Sequence, residues 1–186
     1  QGFTSDSGIG VRGSVGGKAL VLGNSALMTQ VGIDTDAVKA QAEALRAEGA
    51  SVIHLAVEGR LAGLLAVSDP IKASTAQALT LLRDSGLRVI MATGDGLTTA
   101  KAVAAKLGID EVHGEVRPAD KLALVSRLQS EGRIVAMAGD GINDAPALAQ
   151  ADVGVAMGTG TDVAMNSAQV TLVKGDLRGI AQARAI

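Results

Sequence analysis

The part of the chain after Pro70 alternates between two hydrophobic patterns, and this alternation constrains the fold more than any other feature. Segments with apolar residues three and four positions apart, the spacing of helices, are separated by short continuous apolar runs, which are typical of buried strands. Such an alternation predicts an α/β fold in which a Rossmann-like parallel sheet is covered by helices on both faces. The predicted helices cover 73–84, 97–107 and 119–130, with further helical segments after Asn143, near Thr161 and from Asp176; the predicted strands cover 87–92, 111–114, 134–138, 153–157 and 169–173.

The residues before Pro70 follow a different pattern and are rich in predicted strands. These strands cover 8–15, 19–22, 51–57 and 61–67. A short helix follows Asn24 and runs to about Gln30, and a longer helix, capped by Asp34 or Thr35, runs to Ala47. Gly16 and Gly17 separate the first two strands as a hairpin turn would. Because proline interrupts both helices and strands, Pro70 marks a boundary. We therefore expect a smaller α+β segment over 1–68 and the parallel α/β domain over 69–186.

Charge and composition exclude several classes of function. The net charge of −2 and the single aromatic residue, Phe3, provide neither a basic surface nor stacking side chains for bases, so we expect no nucleic-acid partner. The absence of cysteine excludes disulfides and thiolate metal sites. No apolar run reaches the roughly 18–20 residues of a membrane helix, so we expect the chain itself to be soluble. A start at Gln1 and an end inside a helical pattern lead us to expect a segment of a longer protein.

Three glycine-rich turns follow predicted strands of the parallel sheet and precede predicted helices. They read Thr93-Gly94-Asp95-Gly96, Gly139-Asp140-Gly141 and Gly158-Thr159-Gly160-Thr161-Asp162. Ligands of open α/β sheets bind outside the carboxyl ends of the strands, and the backbone amides at helix N-termini favour phosphate. A single Gly-Asp-Gly is more often a tight turn, here with Asn143 and Asp144 as a helix cap. Three such turns on one edge favour a phosphate site over that alternative.

Two carboxylates, a lysine and a threonine at this edge are candidates for phosphate chemistry. Asp140 and Asp144 supply hard oxygen ligands, which suit Mg²⁺ beside a phosphate. Lys121 lies in the first turn of a predicted helix, where a positive charge opposes the helix dipole, and it could neutralise a transferred phosphoryl group. Thr93 offers a hydroxyl to a phosphate oxygen. The structural alternatives are a solvated surface lysine and a buried, hydrogen-bonded threonine, and the sequence leaves both open.

A glycine pattern near the start of the chain matches the dinucleotide-binding fingerprint but lies in the wrong context. The run Gly8-Ile9-Gly10-Val11-Arg12-Gly13 continues into a strand pattern, whereas the fingerprint begins a helix. Glycines in a strand still allow a nucleotide to approach the backbone closely, and the structural alternative is a bulged or edge strand. The two histidines, His54 and His113, lie in or beside strands, and we assign them no role.

Taken together, these motifs resemble the phosphorylation domain of P-type ATPases, which belongs to the haloacid-dehalogenase-like superfamily. The resemblance rests on Thr93-Gly94-Asp95, on Lys121 and on the run GDGINDAPAL over 139–148. The run over 151–164, which contains GTGTDVA, resembles the heavy-metal branch and most of all its copper-exporting members. Gly8-Ile9-Gly10 and Gly23-Asn24 are similar to nucleotide-domain motifs of that branch, so the resemblance covers essentially the whole chain.

The resemblance implies a haloacid-dehalogenase-like domain that takes part in metal-ion export through an aspartyl-phosphate formed from ATP with Mg²⁺. Residues 1–68 would be the C-terminal part of a nucleotide-binding domain, and 69–186 a phosphorylation domain that lacks the strand with the nucleophile. Asp140 and Asp144 would form the metal site, with Asp140 as ligand and Asp144 as its support. The other implied site residues are Thr93, Gly94, Asp95, Lys121 and Asn143 in the catalytic centre, and Gly8, Gly10 and Asn24 beside ATP.

The same resemblance implies where the catalytic part would work. The full-length protein would be integral to the cell membrane, with this part at the cytoplasmic face. Its partners would be ATP and the actuator and transmembrane domains of the same protein. The transported ion, Cu⁺ by likeness to the copper-exporting group, would bind elsewhere in the full chain.

Two motifs of the family are missing from this sequence. These are the Asp-Lys-Thr-Gly-Thr motif of the phosphorylated aspartate and the Ser-Glu-His-Pro-like motif of the adenine-contacting histidine. We therefore expect the chain alone not to turn over ATP. Two alternatives stay open: a soluble phosphatase of the same superfamily, with an Asp-x-Asp motif before Gln1, and a non-catalytic nucleotide-binding or regulatory module.

Overall fold

The computed structural model describes residues 2–6, 9–158, 161–172 and 176–184. The chain forms two compact units, one made of residues 1–70 and 96–103 and the other of 71–95 and 104–186. None of the helices in the described ranges is long and apolar enough to cross a membrane.

The first unit is built on an antiparallel sheet of five strands in the order β1-β2-β3-β4-β5. The strands are β1 (Thr4–Asp6), β2 (Gly10–Val15), β3 (Lys18–Gly23), β4 (Ser51–Val57) and β5 (Arg60–Val67). The β2–β3 hairpin turns at Gly16 and Gly17, whose φ angles of +59° and +78° are ones that glycine adopts without strain. The predicted hairpin is thus confirmed, and β4 and β5 lie where the sequence predicts strands.

Two short helices cover one face of this sheet. Asn24 caps α1 (Ser25–Gln30), because its side-chain oxygen accepts from the Leu27 amide at 3.0 Å. A 3-10 turn over Asp36–Val38 leads into α2 (Lys39–Ala47). Alternate residues of β4 are buried, as expected for a strand with one face against helices. The core of the unit consists of Leu27, Met28, Ile33 and Ala56, with partly buried apolar side chains around them.

The second unit contains the parallel strands that the sequence predicts, and the α/β fold class is confirmed. Its strands are β6 (Ile90–Ala92), β7 (Glu111–His113), β8 (Ala136–Gly139), β9 (Val153–Met157) and β10 (Val170–Leu172). Its helices are α3 (Ala73–Asp84), α5 (Pro118–Ser130), α6 (Ala145–Gln150), α7 (Asp162–Ser167) and α8 (Arg178–Arg184), and α4 (Leu97–Leu107) contributes residues to both units.

The parallel strands fall into two sheets instead of one continuous sheet. One sheet has the order β10-β9-β8 and the other pairs β6 with β7. In the described residues no ladder joins β6 to β8, so each of these strands has one edge that pairs with nothing there. The family resemblance implies a parallel sheet that lacks one strand, and that expectation stays a prediction.

Two strands are shorter at their start than the sequence predicts. The strand expected over 134–138 begins at Ala136, which pairs with Val153, and Ile134 is 88% exposed. The Asp152 carboxylate accepts from the Val135 amide at 2.8 Å, so a side chain takes the place of a ladder partner there. This bond is the main cause that lowers the pKa of Asp152. Likewise, the strand expected over 87–92 begins at Ile90, where its pairing with β7 starts.

Candidate active site

The Gly139–Gly141 turn ends β8 and places Asp140 at the carboxyl edge of the three-stranded sheet. A 3-10 helix over Ile142–Asp144 follows, and α6 begins directly after it. The Asp140 carbonyl accepts from the Thr161 amide at 2.8 Å, which ties the turn to the start of α7. The side chain of Asp140 is exposed, so its carboxylate is accessible to a ligand.

Asp144 is a buried carboxylate that stabilises this turn by accepting hydrogen bonds from its backbone amides. It is 6% exposed, and its Oδ2 accepts from the amides of Gly141 at 3.1 Å and Asp140 at 3.3 Å. Its Oδ1 accepts from Lys121 Nζ at 2.6 Å. Because three protein donors use its oxygens, Asp144 is placed to support the turn, and Asp140 is the carboxylate that faces outward.

Lys121 reaches Asp144 from the first turn of α5. Pro118 begins that helix, and the Asp120 side chain accepts from the Arg117 amide at 2.9 Å to cap it. Counting side-chain atoms alone, Lys121 is 15% exposed and Asp144 is 9% exposed. A buried ion pair is tolerated when further hydrogen bonds satisfy the partners, as the two amides do here. The charge that opposes the dipole of α5 therefore has a specific partner.

The Thr93 turn ends β6 in the two-stranded sheet. Thr93 Oγ1 accepts from the Asp95 amide at 3.1 Å and donates to Asp95 Oδ2 at 3.0 Å. The Thr93 amide donates to the His113 carbonyl at 3.0 Å, so the turn is fixed to the end of β7. Thr93 is half-buried, whereas Gly94 and Asp95 are exposed. The hydroxyl thus serves the turn itself and lies at the carboxyl end of a parallel strand, as the sequence predicts.

A cavity of about 190 Å³ lies beside Asp140 and involves residues that the sequence analysis missed. Its lining includes Lys72, Ser74 and Thr75, from the start of α3, together with Gly139 and Asp140. The signal was present in the sequence: a lysine and two small hydroxyl residues follow Pro70 at a helix start. Because these residues lie more than sixty positions before Asp140, the sequence does not show that they line the same cavity.

The structure provides few protein ligands for a metal around Asp140. In the ranges that the structure describes, no three His, Cys, Asp or Glu side chains are grouped closely enough to hold a metal by themselves. Mg²⁺ is usually bound by one or two carboxylates together with phosphate and water oxygens. One exposed carboxylate beside a cavity with a lysine and hydroxyls fits that kind of site. Asn143 is also exposed, one turn along the chain.

The residues predicted to lie beside ATP belong to the first unit. Gly10 pairs with Gly23, so the backbone of Gly10 lies next to the residue before Asn24. The Asn24 amide donates to the Ile9 carbonyl at 2.9 Å, which closes this end of the hairpin. The predicted Gly8 lies outside the described residues.

We expect Gly139 to tolerate no side chain, because its Cα faces the buried Asp144. A Cβ at Gly139 would lie 2.7 Å from Asp144 Cβ and 2.8 Å from its Cγ. Asp144 is held by Lys121 and by two amides and has little freedom to move away. G139A should therefore lower the free energy of unfolding by about 1–3 kcal/mol, measured by urea denaturation of the chain.

The matched control for this prediction is Gly141, two residues further along the same turn. A Cβ there would have its nearest neighbour, Asp144 Oδ2, at 3.4 Å, an ordinary contact, and the φ of −101° suits any residue. G141A should change the free energy of unfolding by less than about 0.5 kcal/mol. Equal losses for the two variants would contradict the close packing of Asp144 against Gly139.

Comparison with protein families gives one match that covers most of the chain. Residues 4–152 match the model of the haloacid dehalogenase-like hydrolases. The chain is 57% identical over 185 residues to a copper-transporting P-type ATPase of Rhizobium leguminosarum bv. viciae, and 56% identical over 182 residues to a silver exporting P-type ATPase of Salmonella typhimurium. These alignments cover 100% and 98% of this chain but 22% of each relative. The chain thus spans about a fifth of the length of these curated relatives.

Solved structures of similar proteins share the fold. The catalytic domain of the CPx-ATPase CopB-B superposes with a TM-score of 0.69 at 29% identity, over 97% of this chain and 63% of that one. A zinc-transporting PIB-type ATPase in the E2.Pi state superposes with a TM-score of 0.66 at 32% identity, over 97% of this chain and 29% of that one.

Proposed function

The chain belongs to the haloacid dehalogenase-like hydrolases, and we propose that it is the cytoplasmic catalytic part of an ATP-driven pump that exports metal ions. The pump would work through an aspartyl-phosphate, and the exported ion would be Cu⁺. A copper-transporting relative and a silver exporting relative, each more than half identical over at least 98% of this chain, support the activity, and the first of them supports copper as the ion. In this proposal, 1–68 belongs to the nucleotide-binding domain and 69–186 to the phosphorylation domain.

The observation that carries this proposal is the buried Lys121–Asp144 pair beneath the exposed Asp140. An ammonium group has three N–H donors, and Asp144 uses one of them. The remaining donors allow Lys121 to bind phosphoryl oxygens, while Asp144 keeps its charge in place. A positioned cation of this kind stabilises the charge that a phosphoryl group develops during transfer.

The residues around Asp140 fit a Mg²⁺ site that is completed by phosphate. Asp140 would hold the ion directly, and Asp144 would hold the Asp140 turn through its two amide hydrogen bonds. Bound Mg²⁺ would offset negative charge on the phosphate. On phosphate binding, the Thr93 hydroxyl would turn its one proton from Asp95 Oδ2 to a phosphoryl oxygen, while its oxygen still accepts from the Asp95 amide. Asp95 and Gly94 would shape its turn. Gly10 and Asn24 would face ATP from the first unit.

We further propose that the nucleophile lies on a strand between β6 and β8. Each of these strands has an edge without a ladder partner in the described residues, and both neighbouring sheets are parallel. A parallel strand in that position would end between the Thr93 turn and the Asp140 turn, since carboxyl ends of parallel strands share one edge. An aspartate after it could then accept the phosphoryl group of ATP.

The proposal is tested by ATP hydrolysis of the full-length protein in membrane vesicles with Mg²⁺ present. We expect Cu⁺ to stimulate hydrolysis and Zn²⁺ not to, and we expect acid quenching to trap a phosphorylated protein. Stimulation by Zn²⁺ alone would overturn the assignment of copper. Hydrolysis of simple phosphomonoesters, with no metal stimulation and no phosphorylated protein, would overturn the pump and indicate a phosphatase.

A further inference from the structure

His54 is a buried imidazole for which the proposed catalytic scheme has no use. It lies in the middle of β4, is 2% exposed, and its Nδ1 has no hydrogen-bond partner. A hydrogen bond joins the ring to the backbone of Gly23, so this bond is made through Nε2. Burial lowers the pKa of His54, and the charge of Arg46 lowers it further.

An imidazole is not the residue that packing alone would favour at this position. Leaving Nδ1 without a partner destabilises the fold relative to an apolar side chain of similar size, because a buried polar atom loses its hydrogen bonds to water. The neighbouring inward-facing residues of β4, Val52 and Ala56, are both apolar and buried. His54 is thus the polar exception on this buried face, and it is the residue that lies opposite Gly23 at the end of β3.

The Gly23 backbone that His54 contacts is in a tightly packed row across three strands. Gly10 pairs with Gly23, and Gly23 pairs with His54. A Cβ at Gly10 would lie 2.3 Å from the Leu22 carbonyl oxygen, and a Cβ at Gly23 would lie 2.4 Å from the Ile9 carbonyl oxygen. The two backbones approach so closely that only glycine fits at either position. A shift of Gly23 would therefore move Gly10 as well.

The same row fixes the residue that follows Gly23. The Asn24 amide donates to the Ile9 carbonyl at 2.9 Å, and the Asn24 side chain caps α1. Leu27 of α1 lies over both glycines, with its Cδ2 2.6 Å from either Cβ position. His54 lies on β4, opposite its cross-strand neighbour Gly23, and supports this segment from that strand.

We propose that His54 is a positioning residue for nucleotide binding, which holds the Gly23–Asn24 backbone against Gly10 through its bond to Gly23. This inference rests on the proposed function, in which Gly10 and Asn24 face ATP. The ring does not contact the nucleotide; it keeps the backbone that does so in the binding geometry. Loss of the bond should weaken ATP binding and leave the chemical step unchanged.

The test measures phosphorylation of the full-length protein as a function of ATP concentration. H54L should raise the apparent KM for ATP about fivefold to tenfold, the loss expected for one buried hydrogen bond, with the maximal level of phosphorylated protein within about twofold of wild type. H54Q should restore the wild-type KM to within about twofold, because its side-chain amide can reach the Gly23 backbone as Nε2 does. Hydrogen exchange should be faster at the Asn24 amide in H54L than in wild type.

Val52 provides the matched control, since it lies two residues away on the same buried face of β4. It pairs with Ala66 of β5 and, unlike His54, is not in the register between β3 and β4. V52A should destabilise the first unit without raising the KM or the exchange rate at Asn24. A wild-type KM in H54L, an equal rise in V52A, or no recovery in H54Q would overturn the inference. A wild-type protein that ATP does not phosphorylate at any concentration would instead overturn the proposed function.

Discussion

D144A is expected to lower the free energy of unfolding by about 3–5 kcal/mol, the largest loss that we predict for a single substitution in this chain. The variant leaves Lys121, whose side chain is 15% exposed, without its partner at 2.6 Å. It also removes the acceptor from the amides of Asp140 and Gly141. Urea denaturation of the chain measures the loss.

D144A has two effects on stability: it leaves the Lys121 charge unpaired, and it leaves a cavity where the carboxylate was. Adding K121M distinguishes the two. In D144A/K121M both partners are replaced by apolar side chains, so no buried charge is left alone. The double variant should be more stable than D144A, even though it carries one more substitution. A D144A protein within about 1 kcal/mol of wild type, or a double variant less stable than D144A, would contradict the buried pair.

The sequence predicts several helices after Pro70 well, because their signals are local, whereas the helix expected after Asp34 or Thr35 begins only at Lys39, behind a 3-10 turn. The helices over 73–84 and 97–107 have the predicted bounds, and α5 begins one residue earlier, at Pro118. Apolar spacing and capping residues decide such limits within a few positions. Strand limits are less local, because a strand begins where its pairing with a neighbouring strand begins. Ile134 has the composition of a strand residue but lies before the ladder with β9 and is exposed.

The candidate site could be predicted only in part, because some of its signals are local in the sequence and others depend on contacts between distant residues. Asp140 and Thr93 are recognisable because each follows an apolar strand and a glycine turn in the sequence. The need of Lys121 for a partner also follows from its place at a helix start. The identity of that partner does not, because Asp144 lies 23 positions away. His54 has no local signal either, since its role depends on the pairing of three strands.

The second large effect is expected at Asp140, where the chemistry should be lost without loss of the fold. The Asp140 side chain is exposed, and its backbone amide and carbonyl make the contacts that hold the turn. D140N keeps those contacts and the shape of the side chain but removes the negative charge that would bind Mg²⁺. We expect Mg²⁺-dependent phosphorylation by ATP to fall at least about a hundredfold, as when a preorganised charge is removed from a transfer site.

D84N is the matched control for this variant, since Asp84 is an exposed acid at the end of α3 and the change in charge is the same. It should be phosphorylated like the wild-type protein.

The most direct measurement is therefore the amount of phosphorylated full-length protein formed from labelled ATP with Mg²⁺, compared among wild type, D84N and D140N after acid quenching. We expect label on wild type and D84N and almost none on D140N. An equal amount of label on D140N would contradict the place of Asp140 in the catalytic centre.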